Sequence, residues 1–206
     1  DVDWAIGPDF KNLDDPKRHE LVHFLSKLLI LKYVKDGAVV LGRRNEVTGD
    51  LKAVVVFSRS RGYWSAGICE TFSYAIIVGG MMKTAPAWLK RGLPSHLQTG
   101  LDQIGHVESA FHSAYTRGPH YKIQIAAVDP STQGQGHSSK LLRRVNELAD
   151  AENLPCFLFT SGPEKQARKV SIFSRFGYET VAQRTITDVA GKAVTCYGMV
   201  RKAKDL

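Results

Sequence analysis

The chain has 206 residues, of which 43% are hydrophobic and 23% are charged, an ordinary balance for a globular protein with a sizeable core. Its net charge is +8, but the basic residues are spread along the sequence without the runs and interleaved aromatics of a nucleic-acid-binding surface. Its three cysteines lack metal-ligand spacing, which argues against a disulfide framework or a zinc site.

No apolar run is long enough to span a membrane, and no signal peptide opens the sequence. We therefore expect a cytoplasmic protein that binds neither membranes nor metals. A single domain over residues 1–206 is the default, although a strand ahead of Asp1 could have been lost. The sequence leaves open whether the protein is a monomer or a homodimer.

The first predicted element is a helix that begins at Asp14-Asp15-Pro16, where an acidic cap precedes proline at the first helical position. It ends at Asp36-Gly37. Its apolar stripe predicts packing against a core, and consists of Leu21, Phe24, Leu28 and Leu31.

Two apolar runs, residues 38–41 and 51–57, predict an antiparallel hairpin. The second contains Val54-Val55-Val56, which is too apolar for a strand with one exposed face, so both of its faces should be covered. Helical segments follow between residues 63 and 117, broken by glycines and prolines, and the last of them runs to Tyr115.

The most informative stretch is Tyr121 to Asp150. A strand with Tyr121, Ile123 and Ile125 on one face ends at Asp129-Pro130, and an amphipathic helix begins near Ser138. The later elements are a strand at 156–160, a helix at 164–176 and a hairpin pairing 185–187 with 194–200 through a turn at 190–191. Together they predict a mixed sheet with helices on both faces.

The glycines of Gln133-Gly134-Gln135-Gly136-His137-Ser138 lie where that helix begins. The free amides and positive dipole end of a first turn attract an anion, and glycines let a phosphate approach the backbone. A plain tight connection would use the same residues. The loop lacks the Gly-Lys-Ser/Thr of a Walker sequence and the three spaced glycines of a dinucleotide loop.

This stretch resembles the acetyl-coenzyme A signature of the Gcn5-related N-acetyltransferases, in which Gln/Arg-x-x-Gly-x-Gly/Ala follows a strand ending in Val-x-Pro. Val128-Asp129-Pro130 and Gln133 to Ser138 fill the pattern, with serine as the last small residue. Residues 120–130, 154–158, 173–178 and 196–202 look like the puromycin N-acetyltransferase-type branch. The resemblance covers roughly the C-terminal half.

The resemblance implies an α/β (α+β) fold with a mixed, mostly antiparallel sheet flanked by helices, in which a splayed strand pair binds acetyl-coenzyme A. It also implies the coenzyme-binding residues. These would be Ala126, Ala127, Val128, Gln133, Gly134, Gln135, Gly136, His137, Ser138, Ser139, Gln166 and Phe173. The Val128 N–H would bind the thioester carbonyl. Gln166 replaces a common asparagine.

Phe173 stands where many members of the family carry a tyrosine that protonates the departing thiolate, so Ser174 or a water would substitute, or no acid is needed. For the general base, His106, Glu108, His112 and His120 all precede the central strand. Glu108 is a candidate if it faces inward, where burial would raise the pKa of its carboxyl. His112 and His120 resemble positions that recur as histidine in the puromycin-type branch, and a water chain is the remaining alternative.

The resemblance implies direct acetyl transfer in a ternary complex to a primary amine, which we expect to belong to a small molecule. Acetylation of a protein or peptide is the alternative, which the positive charge of the chain mildly disfavours. A non-catalytic acyl-coenzyme A-binding protein is the alternative of another class, because of Phe173.

Overall fold

The computed structural model of the protein describes residues 16–60, 85, 87, 95–162, 167–187 and 193–204. Four α-helices and six strands lie in these ranges. In chain order they are α1 (Pro16–Lys35), β1 (Val39–Arg44), β2 (Leu51–Ser60), α2 (Ser95–Tyr115), β3 (His120–Val128), α3 (His137–Ala151), β4 (Cys156–Gly162), α4 (Ala167–Ser174), β5 (Glu179–Thr187) and β6 (Ala193–Arg201). A short 3₁₀ helix, Pro130–Thr132, precedes α3.

The six strands form one sheet in the order β1-β2-β3-β4-β6-β5. Four of the five neighbouring pairs are antiparallel, and β3 with β4 is the parallel pair. Helix α3 connects those two parallel strands, as a crossover between parallel neighbours requires. The predicted mixed, mostly antiparallel sheet is therefore confirmed.

Helices cover both faces of this sheet. Alternate residues of its strands point to opposite faces, and they belong to two different hydrophobic clusters. On one face, Val194 and Cys196 of β6 pack with residues of α1 and α2. On the other face, Met199 of β6 packs with α3 and with buried residues of β2, β3 and β4. The predicted double coverage of β2 is also confirmed, since the adjacent side chains of Val55 and Val56 are both fully buried.

Most predicted elements are found, with changes at their ends. The apolar stripe of α1 is buried at Leu21, Phe24 and Leu28, but Leu31 is exposed, so the inward stripe is one turn shorter than predicted. Both strands of the last hairpin are longer than predicted. The predicted cap at Asp14-Asp15, the segments between 63 and 84, most of those up to 94, and the turn at 190–191 lie outside the described residues.

No helix in the described part of the chain is both long and apolar enough to cross a bilayer. Within the same ranges no three His, Cys, Asp or Glu side chains cluster in a way that could hold a metal ion.

A buried ion pair ties the end of α3 to the end of β6. The Arg201 guanidinium donates two hydrogen bonds to the Asp150 carboxylate, at 2.8 and 2.6 Å, and the side chain of Arg201 is only 5% exposed. The Lys204 N–H donates a third bond to Asp150 at 3.0 Å. This arrangement holds the chain after β6 against α3.

We expect Asp150→Asn to lower the free energy of unfolding by about 3 kcal/mol, because it leaves a buried guanidinium without its counter-ion. Urea unfolding would measure the loss. The matched control is Glu147→Gln, which removes an exposed pair with Arg144 on the same helix and should cost less than about 0.5 kcal/mol.

The pH dependence of this contribution has a definite sign. Hydrogen bonds from Arg201 lower the pKa of Asp150 in the folded protein. The stabilisation is thus complete above the ordinary carboxyl pKa and disappears as the pH falls through the lower folded value. The difference in stability between the wild-type protein and Asp150→Asn should shrink accordingly in acid, and an equal difference at all pH values would contradict the role of this pair.

Candidate active site

The parallel strands β3 and β4 are paired over only part of their length. Their ladder contains three pairs, from Tyr121 with Cys156 to Ile123 with Leu158, and both strands continue beyond it. The register between β2 and β3 shifts at the same level, where Gln124 is an extra residue on β3. A bulge bends the strand that carries it. The bulge therefore lies where β3 turns away from β4 and a gap opens between them.

The direction of the main-chain groups beyond the bulge follows from one hydrogen bond. The Asp129 N–H donates to the Lys52 carbonyl at 2.9 Å, so residue 129 faces β2. Residues of an antiparallel ladder alternate in direction, which turns Ala127 toward β2 as well. Ala126 and Val128 consequently direct their N–H and C=O groups into the gap. Ala127 does not share this orientation, contrary to the expectation that its main chain would bind the coenzyme.

The gap is open at this level, since the side chains of Ala126 and Ala127 are exposed although β3 lies in the middle of the sheet. Small side chains leave the peptide groups of the strand accessible. Within the described part of the chain, the gap therefore combines an accessible backbone with donors and acceptors that have no partner, which is what an extended ligand needs to pair with a strand.

The glycine loop leads from β3 into α3. Gly134 and Gly136 have φ values of 85° and 76°, in the left-handed region that favours glycine, and a Cβ at either would meet no other atom within 4 Å. Among the described residues, no acceptor engages the amides at the start of α3. These amides belong to Gly134, Gly136, His137, Ser138 and Ser139.

The Gln133 and Gln135 amides make only long bonds, at 3.5 and 3.3 Å, to carbonyls of the preceding turn. All of these loop residues are exposed or half-buried. The loop thus presents a row of free donors at the positive end of a 15-residue helix, an arrangement suited to an anion.

Two histidines meet near the start of β3. The Nε2 atoms of His112, on α2, and His120, on β3, are 2.8 Å apart. The Nδ1 atom of His120 is 2.8 Å from the Gly118 carbonyl, which can only accept, so Nδ1 carries the proton. Neutral His120 then accepts at Nε2 and His112 donates from Nε2. This assignment leaves a lone pair on His112 Nδ1, which has no donor among the described residues.

Burial, with smaller contributions from the positive charge of Lys122 and from the neighbouring His120, lowers the pKa of His112 to about 4. Burial likewise lowers the pKa of His120, which is 1% exposed. Both rings are therefore neutral near pH 7. A ring edge of His112 also packs on Phe157, with the centroids 5.2 Å apart.

Glu108 is only partly buried and is paired. Its side chain is 28% exposed and lies 2.7 Å from the Lys122 ammonium. Glu108 is therefore neither fully inward nor free of a charged partner, and its role as a base stays a prediction. His106, the remaining candidate on α2, is exposed.

The C-terminal end of α4 contains Phe173 and Ser174. The Phe173 ring is half-buried and packs edge to face on Tyr178, with the centroids 6.1 Å apart. Ser174 is exposed. The nearby Tyr178 hydroxyl donates to Asn146 Oδ1 at 3.0 Å and is buried, which raises the pKa of Tyr178 far above its ordinary value. The Tyr178 phenol is therefore not available to replace the missing tyrosine at this position. Gln166 lies outside the described residues.

Sequence reasoning missed two contacts. It named His112 and His120 separately and did not bring them together, although the chain reverses between α2 and β3 over only four residues. It also missed Arg43, whose guanidinium Nε donates to His137 Nδ1 at 3.0 Å. These residues are 94 positions apart in sequence, so no local signal could have found the contact.

No family model matches the chain. An uncharacterised N-acetyltransferase of Schizosaccharomyces pombe is 34% identical over 84 residues, which are 40% of this chain and 34% of that relative. The match thus spans about a third of the relative's length.

Two solved structures resemble the whole chain. One is a Corynebacterium glutamicum protein described as histone acetyltransferase HPA2 and related acetyltransferase, with a TM-score of 0.55 and 17% identity over 100% of this chain and 90% of that one. The other is arylalkylamine N-acetyltransferase 2 from Aedes aegypti, with a TM-score of 0.54 and 15% identity over 98% and 87% of the two chains. The chain therefore has the Gcn5-related N-acetyltransferase fold, as the resemblance predicted. Its placement in the puromycin-type branch stays a prediction.

Proposed function

We propose that the protein is an acetyl-coenzyme A-dependent N-acetyltransferase that acetylates a primary amine of a small molecule. The observation that carries this proposal is the continuity between the gap and the loop. Main-chain groups of β3 that have no partner among the described residues lead directly into the row of similarly unengaged amides at the start of α3. A ligand with an amide-bearing arm and a diphosphate fits both parts, and acetyl-coenzyme A has both.

The chain's own groups divide into an anion site and a strand site. The amides from Gly134 to Ser139 would hold the diphosphate, and Gln133 and Gln135 would border it. Ala126 and Val128 would offer their main-chain groups to the pantetheine arm and the thioester, with the Val128 N–H stabilising charge on the acetyl oxygen. Acetyl-coenzyme A, when bound, supplies the acetyl group as a thioester.

A primary amine that enters as a cation must lose one proton before its nitrogen attacks and a second as the amide forms. The departing sulfur gains one proton, and the other passes to solvent. We assign removal of a proton from the amine nitrogen to His112. The bond from its Nε2 to His120 leaves the lone pair on Nδ1 free to accept that proton. A neutral histidine also avoids repelling a cationic amine as it enters. Glu108 is less suited, since Lys122 already engages it.

The departing sulfur has no protein acid at Phe173, and Ser174 is exposed. A coenzyme thiolate is a weak enough base to leave without one, and a water can deliver its proton. The phenylalanine at position 173 also favours a second candidate function, that of a non-catalytic acyl-coenzyme A-binding protein. The same loop and gap would serve binding alone.

A thiol-release assay separates these functions. Free thiol would be followed from acetyl-coenzyme A in the presence of arylalkylamines, polyamines, aminonucleosides and basic peptides. Release with a small amine supports the proposal, and release only with peptides supports the protein-directed alternative. Calorimetric binding of the coenzyme without release on any acceptor would favour the binding protein, and absence of binding would overturn the assignment of the site.

A further inference from the structure

The side chain of Arg43 contacts the start of α3. Its strand, β1, lies at one edge of the described sheet. Arg43 lies on β1, where its Cα pairs with Ala53 of β2, which in turn pairs with Val128 of β3. Arg43, Ala53 and Val128 thus form one row across the sheet, at the level where β3 ends and the glycine loop begins. The side chain of Arg43 is half-buried and contacts the first residue of α3.

The contact fixes the state of His137. A guanidinium has no acceptor, so His137 must accept at Nδ1 and carry its proton on Nε2. That nitrogen lies 3.3 Å from Gln135 Oε1, inside the glycine loop. The chain of contacts from Arg43 through His137 to Gln135 therefore orients the side chains that border the free amides.

Among the described residues, the charge of Arg43 has no counter-ion. Within the described ranges no carboxylate forms an ion pair with it, and its two terminal nitrogens have no hydrogen-bond acceptor. A half-buried cation without a counter-ion is costly unless a ligand supplies the negative charge. The dipole of α3 adds positive potential at the same place.

We infer that Arg43 is a positioning residue for the diphosphate of the coenzyme. It holds His137 and the loop in place and adds a full positive charge to the anion site. This inference rests on the proposed function, because it names a residue of the same site.

The neighbouring Arg44 provides a matched control. It donates to the Gly49 carbonyl at 2.8 Å within the hairpin turn. We expect Arg43→Met to weaken coenzyme A binding about tenfold, the loss of one charged neighbour at a partly exposed site, while Arg44→Met leaves it unchanged. Titration calorimetry would measure both. Arg43→Lys should recover part of the loss, since it keeps the charge.

A second probe separates a phosphate-directed role from general damage. Pantetheine lacks the diphosphate, so its affinity should be the same for the wild-type protein and Arg43→Met. The affinity for coenzyme A should also depend less steeply on salt in the variant. Equal weakening of both ligands, or unchanged coenzyme A affinity, would overturn the role of Arg43. Failure of the wild-type protein to bind coenzyme A would instead overturn the proposed function.

Discussion

Gly136→Asp is expected to abolish measurable binding of acetyl-coenzyme A while leaving the protein folded. Gly136 caps α3 with a φ of 76°, and a side chain there would project into open space beside the free amides. An aspartate carboxylate would compete for those amides and repel a diphosphate. Like charges placed together cost several kcal/mol, so the affinity should fall by more than about 100-fold.

The matched control for this variant is Gly37→Asp. Gly37 follows α1 and has a φ of 85°, and a Cβ at this position would also meet no atom within 4 Å. The backbone strain of the two variants is therefore comparable, roughly 1 kcal/mol. Circular dichroism and urea unfolding should show similar small losses of stability for both, and calorimetry should show a loss of binding for Gly136→Asp only. Unchanged affinity of Gly136→Asp would mean that the loop does not hold the coenzyme.

His112→Gln is expected to lower kcat about 100-fold, the lower end of what general-base catalysis contributes, because burial makes this imidazole a weak base. Glutamine keeps an N–H donor for His120 but has no basic nitrogen. His106→Gln is the control, since His106 is an exposed histidine on the same helix. It should leave kcat within about twofold of the wild-type value.

The pH profile of kcat/KM tests the same assignment independently. His112 accepts a proton only when neutral, and its pKa is lowered to about 4. Activity that depends on it should therefore persist as the pH falls through 6.5, the ordinary histidine value, and decline only near pH 4. A decline centred on the ordinary histidine value, or a His112→Gln enzyme with full kcat, would contradict the role of His112.

The ends of the elements around the glycine loop could be predicted from the sequence. Proline and glycine restrict or permit particular backbone angles, so Asp129-Pro130 and the two loop glycines predicted the end of β3 and the start of α3, and both were found. The periodic apolar residues of α3 predicted its buried face for the same local reason. Leu31 continued the stripe of α1 equally well in sequence, yet it is exposed.

The features that were not predicted depend on distant parts of the chain. The bulge at Gln124 and the parting of β3 from β4 are matters of register between strands, which strand composition does not encode. The pairing of His112 with His120 depends on how α2 docks beside β3. Arg43 and Arg44 are adjacent and identical in type, and only their contacts in the folded protein distinguish them.

The gap between β3 and β4 has a consequence for how such proteins diverge. Every residue has a peptide group. A cleft that would bind its ligand through peptide groups therefore tolerates substitution of nearly all the surrounding side chains. Lineages can then accumulate substitutions until little more than the strand register is shared, which fits the 15% and 17% identity to solved structures of this fold.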